Sequence, residues 1–428
     1  MFEKFEEKFE VIFPENENAT YESILNYSTE SNNPFQRWYR YKEGFSVQFV
    51  EKIVEEYSKS DIDTLMDPFA GSGTTILAAN KMGCNGIGFE VNPFSYFLMF
   101  NKLQDYSDED ILYFEKKSLE ILNQLENDEF EEYDLPVLSI SSRVFQPDAE
   151  KVMMSCKIKI DKIDNEKIKN LLLLGWLSSI EELSNYRKAG NGLKKRKTKK
   201  PRVIGKSEVL ERLNTQFSFM ISDLKSKDKT KYNNLFFNES CLNFSEKINK
   251  GSVDGIIFSP PYANCFDYTE IYKLELWFGG FVNEYSDLKV LRNQSLKSHL
   301  NMKYDFENLY SDKSDLLNQQ LSMVQNAELW DKRIPQMLYG YFNDMFKVID
   351  NCYVSLKDNG FCAIVVGNSA YGGVVIPTDL ILADYASSIG FNVDKIEVDR
   401  YMITSSQQYK KTKDQGKYLR ESVVCLTK

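Results

Sequence analysis

The sequence predicts an α/β protein built on one mainly parallel sheet, divided along the chain by two helical insertions. Three observations predict it. Residues 64–90 read as strand, glycine-rich turn, helix and strand, the order of a βαβ unit, which pairs its strands in parallel. The alternation of apolar runs with helical stretches returns at "VDGIIFSPPY" (253–262). It continues through "GFCAIVVGN", "DLILADYASSIGF", "VDKIEVDRY" and "ESVVCLTK". Between these blocks, residues 105–238 lose that rhythm and become charged and helical in pattern.

Bulk composition sets the outer limits. A chain of 428 residues with 42% hydrophobic content has room for two or three domain-sized units and a real core. The longest apolar run, "LLLLGW", falls far short of the roughly 18 residues a membrane span needs. The start, "MFEKFEEKFEVIF", lacks the shape of a signal peptide, and the first thirty residues read as a peripheral helix and loop. Seven scattered cysteines with no CxxC pair predict reduced thiols in a cytoplasm and no zinc site. A single histidine, His299, excludes multi-histidine metal sites and histidine-based triads. The net charge of −10 means that any polyanion must meet a local basic patch.

Taken in order, "EGFSVQFVEKIVEEYSK" (43–59) places Phe45, Phe49, Ile53 and Val54 on one helical face. A strand is expected at 64–66, a helix at 74–82 and a second strand at "GIGFE" (86–90). Between the first strand and the helix lies "DPFAGSGTT" (67–75). Gly71 and Gly73 there allow a tight turn and let a ligand approach the backbone. Glu90 ends the second strand, where a carboxylate accepts hydrogen bonds from ribose hydroxyls. A dinucleotide fingerprint needs a third glycine where this chain has Ile76, and a P-loop needs a lysine this turn lacks. A pyrophosphate is poorly served. A nucleoside with a zwitterionic tail, such as S-adenosylmethionine, fits better. "EVNPF" (90–94) either covers an adenine face or makes a plain strand-end turn.

"FSPPYANCFDY" (258–268) drives an apolar strand into a stiff corner. Proline fixes φ and removes a backbone donor, so the corner presents carbonyl oxygens on a rigid frame. The Ser259 hydroxyl and the Pro260 carbonyl are then two acceptors suited to one amine, with Pro261 stiffening the frame and the Tyr262 ring available for stacking. Cys265 and Phe266 read more readily as core than as pocket.

These segments together resemble the amino-methyltransferases that modify DNA bases. "DPFAGSGTT" looks like their motif I, "GFEVNP" motif II, "SPPY" motif IV, "EGFSVQFVEKI" motif X and "LKDNGFCAIVVGN" motif VI, and "LRESVVCLTK" resembles their closing strand. "FNESCLNF" resembles the segment leading into motif IV, with Asn238-Glu239 where the family usually has Gly-Asp. The resemblance covers most of 36–104 and 236–428. It implies a seven-stranded Rossmann-like sheet with helical insertions, S-adenosylmethionine as methyl donor and an exocyclic amino group as acceptor. Carried onto this chain, the cofactor residues are Phe45, Ser46, Asp67, Pro68, Phe69, Gly71, Gly73, Thr74, Glu90, Val91, Asn92 and Glu239. The catalytic residues are Ser259, Pro260, Pro261 and Tyr262. The serine form of motif IV is most typical of cytosine-N4 enzymes and the aspartate or asparagine forms of adenine-N6 enzymes. None of the eleven prolines is followed by cysteine, which excludes a cytosine-C5 enzyme. An RNA methyltransferase and a non-catalytic DNA-binding relative are the competing readings.

The resemblance makes double-stranded DNA the expected partner, with a cognate restriction endonuclease where such an enzyme is paired with one. "YRKAGNGLKKRKTKKPRVIGK" (186–206) contains no acidic residue. Its Arg187, Lys188, Lys194, Lys195, Arg196, Lys197, Lys199, Lys200 and Arg202 are the candidate phosphate contacts. The expected organisation is 1–104 with the cofactor motifs, 105–238 as an inserted target-recognition region, and 239–428 completing the sheet domain. A second insertion at 283–332 is either a further recognition element or a helical buttress. The glycine motif precedes SPPY, as in the arrangement called α in this family, yet the segment like motif III follows the long insertion instead of preceding it.

Overall fold

The computed structural model describes residues 2–15, 25, 30, 32–42, 44–58, 61–190, 192–197, 202–228, 230–402 and 411–428. Lys199 and Lys200 lie outside them. The chain begins with α1 (Glu3–Glu6), β1 (Val11–Ile12) and α2 (Val47–Tyr57), then β2 (Thr64–Asp67), α3 (Thr74–Lys81), β3 (Asn85–Phe89) and α4 (Pro93–Leu103). Next come α5 (Asp108–Glu126), α6 (Pro147–Asp161), α7 (Glu166–Leu183), the hairpin β4 (Tyr186–Ala189) and β5 (Gly192–Lys195), and α8 (Lys206–Ser226). The chain returns through β6 (Leu235–Phe237), β7 (Val253–Phe258), α9 (Tyr268–Ile271), α10 (Lys273–Phe278), α11 (Tyr285–Gln294), α12 (Asp315–Gln325) and α13 (Ile334–Ser355). It ends with β8 (Leu356–Gly367), β9 (Ser369–Tyr371), β10 (Val374–Ile376), α14 (Thr378–Ser388), β11 (Asn392–Tyr401) and β12 (Arg420–Thr427).

The main sheet runs β1-β11-β12-β8-β7-β2-β3-β6. Strands β6, β3, β2, β7 and β8 are parallel, β12 is antiparallel to both β8 and β11, and β1 joins β11 in parallel. Six of these strands are those the sequence predicts, and β6 is the seventh that the resemblance implies. The eighth, β1, corrects the helix-and-loop reading of the N-terminus: its two residues pair with Ile396 and Glu397, too short a match for any period to show. The strand order turns back beside β2 and β7. Open α/β sheets bind ligands at such a point, beyond the carboxyl ends of the strands. In α2, Phe49, Ile53 and Val54 are buried as the helical spacing requires, and Phe45 packs beside them in the same core.

Helices α5 to α8 pack around Trp176, Phe114 and Phe217. The same core continues into α10, where Phe278 meets Phe145 and Trp176. The lobe is thereby joined to the helix just after the SPPY corner. The stretch before α2 docks on α8 through buried Asp223, which accepts from the Phe35 amide at 2.8 Å and the Trp38 indole at 2.9 Å. The expected boundary at 238 shifts slightly: β6 lies within 105–238 but pairs with β3 (Ile87 to Leu235, Phe89 to Phe237) and belongs to the sheet. The insertion therefore sits between β3 and β6, which explains why the segment like motif III follows it. The 283–332 stretch divides between two cores. Leu288 and Leu291 of α11 join the lobe, while Leu316, Leu317 and Leu321 of α12 join the sheet core.

No helix among the described residues is long and apolar enough to cross a membrane.

Candidate active site

Strand β2 ends by delivering Asp67 to a turn through Gly71 and Gly73, whose φ values of 51° and 81° lie in the region that favours glycine. Asp67 is 1% exposed. One of its oxygens accepts the Phe69 amide at 2.9 Å and the other the Thr75 hydroxyl at 2.8 Å. Glu90, just past β3, accepts the Gly71 amide at 2.9 Å and the Asn92 amide at 2.7 Å. Burial pushes both carboxyls up to about 7, and the hydrogen bonds they accept pull the other way. Asn92 turns its side chain to the first amides of α4, accepting from Phe94 at 3.0 Å. Phe69 stacks on Phe258 at 5.5 Å, so the glycine turn leans on the strand that carries SPPY.

One cavity joins the two motifs. Phe45, Asp67, Pro68, Phe69, Gly71, Thr74, Glu90, Val91, Asn92 and Glu239 line it, and Ser259 and Pro261 enter from the far side. The Ser259 hydroxyl makes no hydrogen bond to any described residue. The other expected site residues are placed elsewhere. Ser46 caps α2 by accepting the Phe49 amide at 3.0 Å. Gly73 packs against Met99 and Leu103, and Pro260 is buried behind the corner. Glu239 also pairs with Lys247 at 3.3 Å. Phe266 is core, as expected, and Cys265 is packed against core while taking a positive φ of 62°.

Several wall residues escaped sequence reasoning. Tyr41 lies over Gly71, bonds Ser95 at 3.1 Å and stacks on Tyr272 at 5.3 Å. Asp267 is 4% exposed and gathers four donors: the Thr269 amide at 2.9 Å, its hydroxyl at 2.6 Å, Arg292 Nε at 2.9 Å and Asn301 Nδ2 at 2.7 Å. Burial pushes its carboxyl up, but the nearby His299 and these donors outweigh that and hold it below the usual range. This network ties residues 291–301 across the cavity as a wall. "DYT" (267–269) is a helix-cap signature visible in the sequence, whereas Arg292 and Asn301 carry no local signal. Among the described lining residues, His299 is the one basic side chain, in a cavity also lined by Asp67, Glu90, Glu239 and Asp267, the last of which it senses directly. Burial lowers its pKa, and Nδ1 accepts the Asn301 amide at 3.2 Å, so neutral His299 carries its proton on Nε2.

A second, open cleft of about 1360 Å³ adjoins the cavity and shares Tyr41, Phe45, Ser259 and Tyr268 with it. Tyr262 opens onto this cleft, as do Lys188, Arg196 and Arg202. The basic run forms the β4–β5 hairpin, with β5 beside α9. Arg187, Lys194, Lys195, Lys197 and Arg202 are exposed. Arg196 spends donors within the lobe, reaching the carbonyls of Tyr186 on β4 and Glu181 on α7 at 3.1 and 2.9 Å. Lys188 does not fit a phosphate contact. Its side chain is 3% exposed, its ammonium meets Glu275 at 2.6 Å, and it also bonds the Tyr39 hydroxyl.

The family model for N6/N4 methyltransferases, described as a DNA methylase, matches residues 3–102. The chain is similar to the type II methyltransferase M.AvaI of Nostoc sp., at 31% identity over 408 residues, covering 88% of this chain and 83% of the relative. It is also similar to M.BsoBI of Geobacillus stearothermophilus, at 30% identity, covering 98% of this chain and 90% of that one. A more distant likeness, 22% identical over 402 residues, is to M.MvaI of Kocuria varians.

Proposed function

The chain belongs to the N6/N4 amino-methyltransferase family of type II DNA methyltransferases, and on that premise we propose that it methylates the exocyclic N4 of cytosine in double-stranded DNA, with S-adenosylmethionine as donor. The observation that carries this reading is that Gly71 and Glu90 line the same cavity as Ser259, so a donor site and an acceptor site share one space.

The residues present fit the donor. S-adenosylmethionine has a positive sulfonium and ammonium, and the cavity wall is rich in carboxylates. Gly71 would let the backbone come close, Glu90 would accept from the ribose hydroxyls, and Val91, Cys241 and Leu242 would hold the adenine in an apolar slot. When bound, this cofactor supplies an already activated methyl group, so no histidine base is needed. The protein's task is to prepare the nitrogen. An exocyclic amine is a poor nucleophile because its lone pair is delocalised into the ring. The Ser259 hydroxyl and Pro260 carbonyl accept its two N–H groups and draw it towards tetrahedral geometry. Fixing nitrogen and methyl in line supplies about 7–11 kcal/mol of the barrier reduction. The paired amine is out of reach inside a duplex, so the base must be extruded, and Tyr262 offers it a ring face worth about 1–3 kcal/mol. Arg187, Lys194, Lys195, Lys197 and Arg202 neutralise phosphates beside the cleft, with 105–234 as the target-reading lobe. The serine at position 259 favours cytosine by its likeness to cytosine-N4 enzymes. Protection of DNA from a cognate nuclease is the role this activity serves.

The test is nucleoside mass spectrometry of duplex DNA incubated with the protein and methyl-labelled cofactor, with transfer and ribosomal RNA in parallel. N4-methylcytosine is expected. N6-methyladenine alone overturns the base assignment, and label in RNA but not DNA overturns the substrate.

A further inference from the structure

Tyr262 is held from three strands at once. Its ring lies on the end of β8, where a side chain added at Gly367 would come within 2.7 Å of ring carbons Cδ2 and Cε2. Its hydroxyl donates to Glu421 Oε1 at 2.6 Å. The other oxygen of that carboxylate accepts from Arg400 Nε at 2.6 Å. The three supporting residues form one row across the sheet. Gly367 is the register partner of Glu421 between β8 and β12, and Glu421 is the partner of Arg400 between β12 and β11. Directly opposed residues in antiparallel pairs lie about 5 Å apart, the spacing such a chain of contacts needs. The Glu421 side chain is 8% exposed and Arg400 26%, while Tyr262 is half-buried and opens on the cleft beside Ser259.

We infer that Glu421 is a positioning residue for the stacking face of Tyr262, with Arg400 fixing Glu421 and Gly367 leaving room for the ring. This rests on the proposed role of Tyr262 as the surface that receives the extruded base. Two rigid prolines fix where the tyrosine Cα sits, but they do not fix its side-chain torsions. A phenol bonded to a carboxylate that is itself held by a guanidinium restrains the ring, because turning it would strand a buried acceptor. One side of the ring rests on the Gly367 backbone, which leaves the cleft side for a base. The antiparallel end of the sheet, remote from the glycine turn, thus contributes to the acceptor half of the site.

The test is a double-mutant cycle on the full chain. It reads kcat and the KM for unmethylated genomic DNA, cofactor affinity by calorimetry, and the melting temperature. Tyr262→Phe and Glu421→Ala each break the phenol–carboxylate bond and are expected to lower kcat about tenfold or more, with cofactor affinity unchanged within about twofold. Combined, they are expected to cost no more than about twofold beyond the worse single variant, because they remove the same bond. Gly367→Ala, which leaves Glu421 in place but pushes on the ring, is expected to give a similar fall in kcat. Fully additive losses overturn the inference, since Glu421 would then act apart from Tyr262. An unchanged kcat in Tyr262→Phe, a one-atom deletion that keeps the ring, overturns it even if Glu421→Ala fails to fold. If instead Tyr262→Ala keeps full activity, the stacking role itself has failed.

Discussion

The glycine turn and the basic hairpin meet across one cleft but are built by opposite rules. At the turn, the charged groups face inward and are satisfied within the protein: Asp67 by Phe69 and Thr75, Glu90 by Gly71 and Asn92. On the hairpin, Arg187 and Lys194 are exposed register partners, like charges set directly opposite each other. Such a pair is unfavourable alone and is relieved by a polyanion. Charge that the fold uses is met by internal partners, whereas the exposed charge of Arg187 and Lys194 has none among the described residues and is what the proposed contact with DNA would neutralise. Lys188 is the residue that crosses the line. It is the next residue after Arg187, so it points to the opposite face of the hairpin, where it meets Glu275.

That crossing gives the largest expected effect. Lys188→Met leaves the buried Glu275 with the Tyr39 hydroxyl but without its cation and is expected to cost about 3–5 kcal/mol of stability. Urea unfolding measures it. The slope of log affinity against log salt for DNA is expected to stay unchanged, because Lys188 contacts no phosphate. A stable variant with a flattened salt slope would move Lys188 back to the DNA-facing side.

Ser259→Ala follows. Removing the acceptor proposed for the reacting amine is expected to lower kcat about 10²- to 10³-fold, while calorimetry finds cofactor affinity nearly unchanged. A large loss of cofactor affinity would assign Ser259 to the donor half of the cavity.

How legible each half was follows from the range of its contacts. "DPFAGSGTT" and "SPPY" are strand-end turns whose residues are dictated by local backbone geometry, so the local sequence marks both turns. Glu90 was legible because a βαβ unit places the end of its second strand beside the turn. The wall at 291–301 and the Tyr262 seat depend on partners such as Arg292 and Glu421, brought near by the sheet and not by the local chain. No periodicity records those contacts. Charge density marked the basic run, but neither the hairpin it forms nor the sorting of its lysines. Sorting required the alternation of a two-stranded ribbon and the presence of Glu275, which lies 87 residues away.

The exposed hairpin lysines should behave oppositely to Lys188. Replacing Lys194, Lys195 and Lys197 by Gln is expected to leave stability within about 0.5 kcal/mol, as for ordinary surface positions. With three fewer phosphates neutralised, the salt slope should fall by about 2.7 and binding at 0.1 M salt by roughly two orders of magnitude. Filter binding across a salt series measures both. An unaltered slope would place the duplex elsewhere on the cleft.

The smallest effect tests the satisfied half, and its sign is set by Asp67 and Glu90. Each carboxyl is raised by burial, from 3.8 and 4.5 to about 7. Between those limits the folded protein holds more protons than the unfolded chain, so stability without cofactor should fall as pH rises towards 7, with the full cost present above it. A cationic cofactor favours the ionised carboxylates, so its affinity should move the other way, rising up to about tenfold from pH 6 to pH 8 for one controlling group. Melting temperatures should therefore fall from pH 6 to pH 8 without cofactor, and S-adenosylmethionine should make that fall shallower. S-adenosylhomocysteine lacks the sulfonium charge and should show a weaker rise. Glu90→Gln should flatten the cofactor's pH dependence while Asp67 retains its own contribution. An equally steep fall in the two melting series would mean that these carboxylates serve the turn alone and do not sense the charge of the ligand.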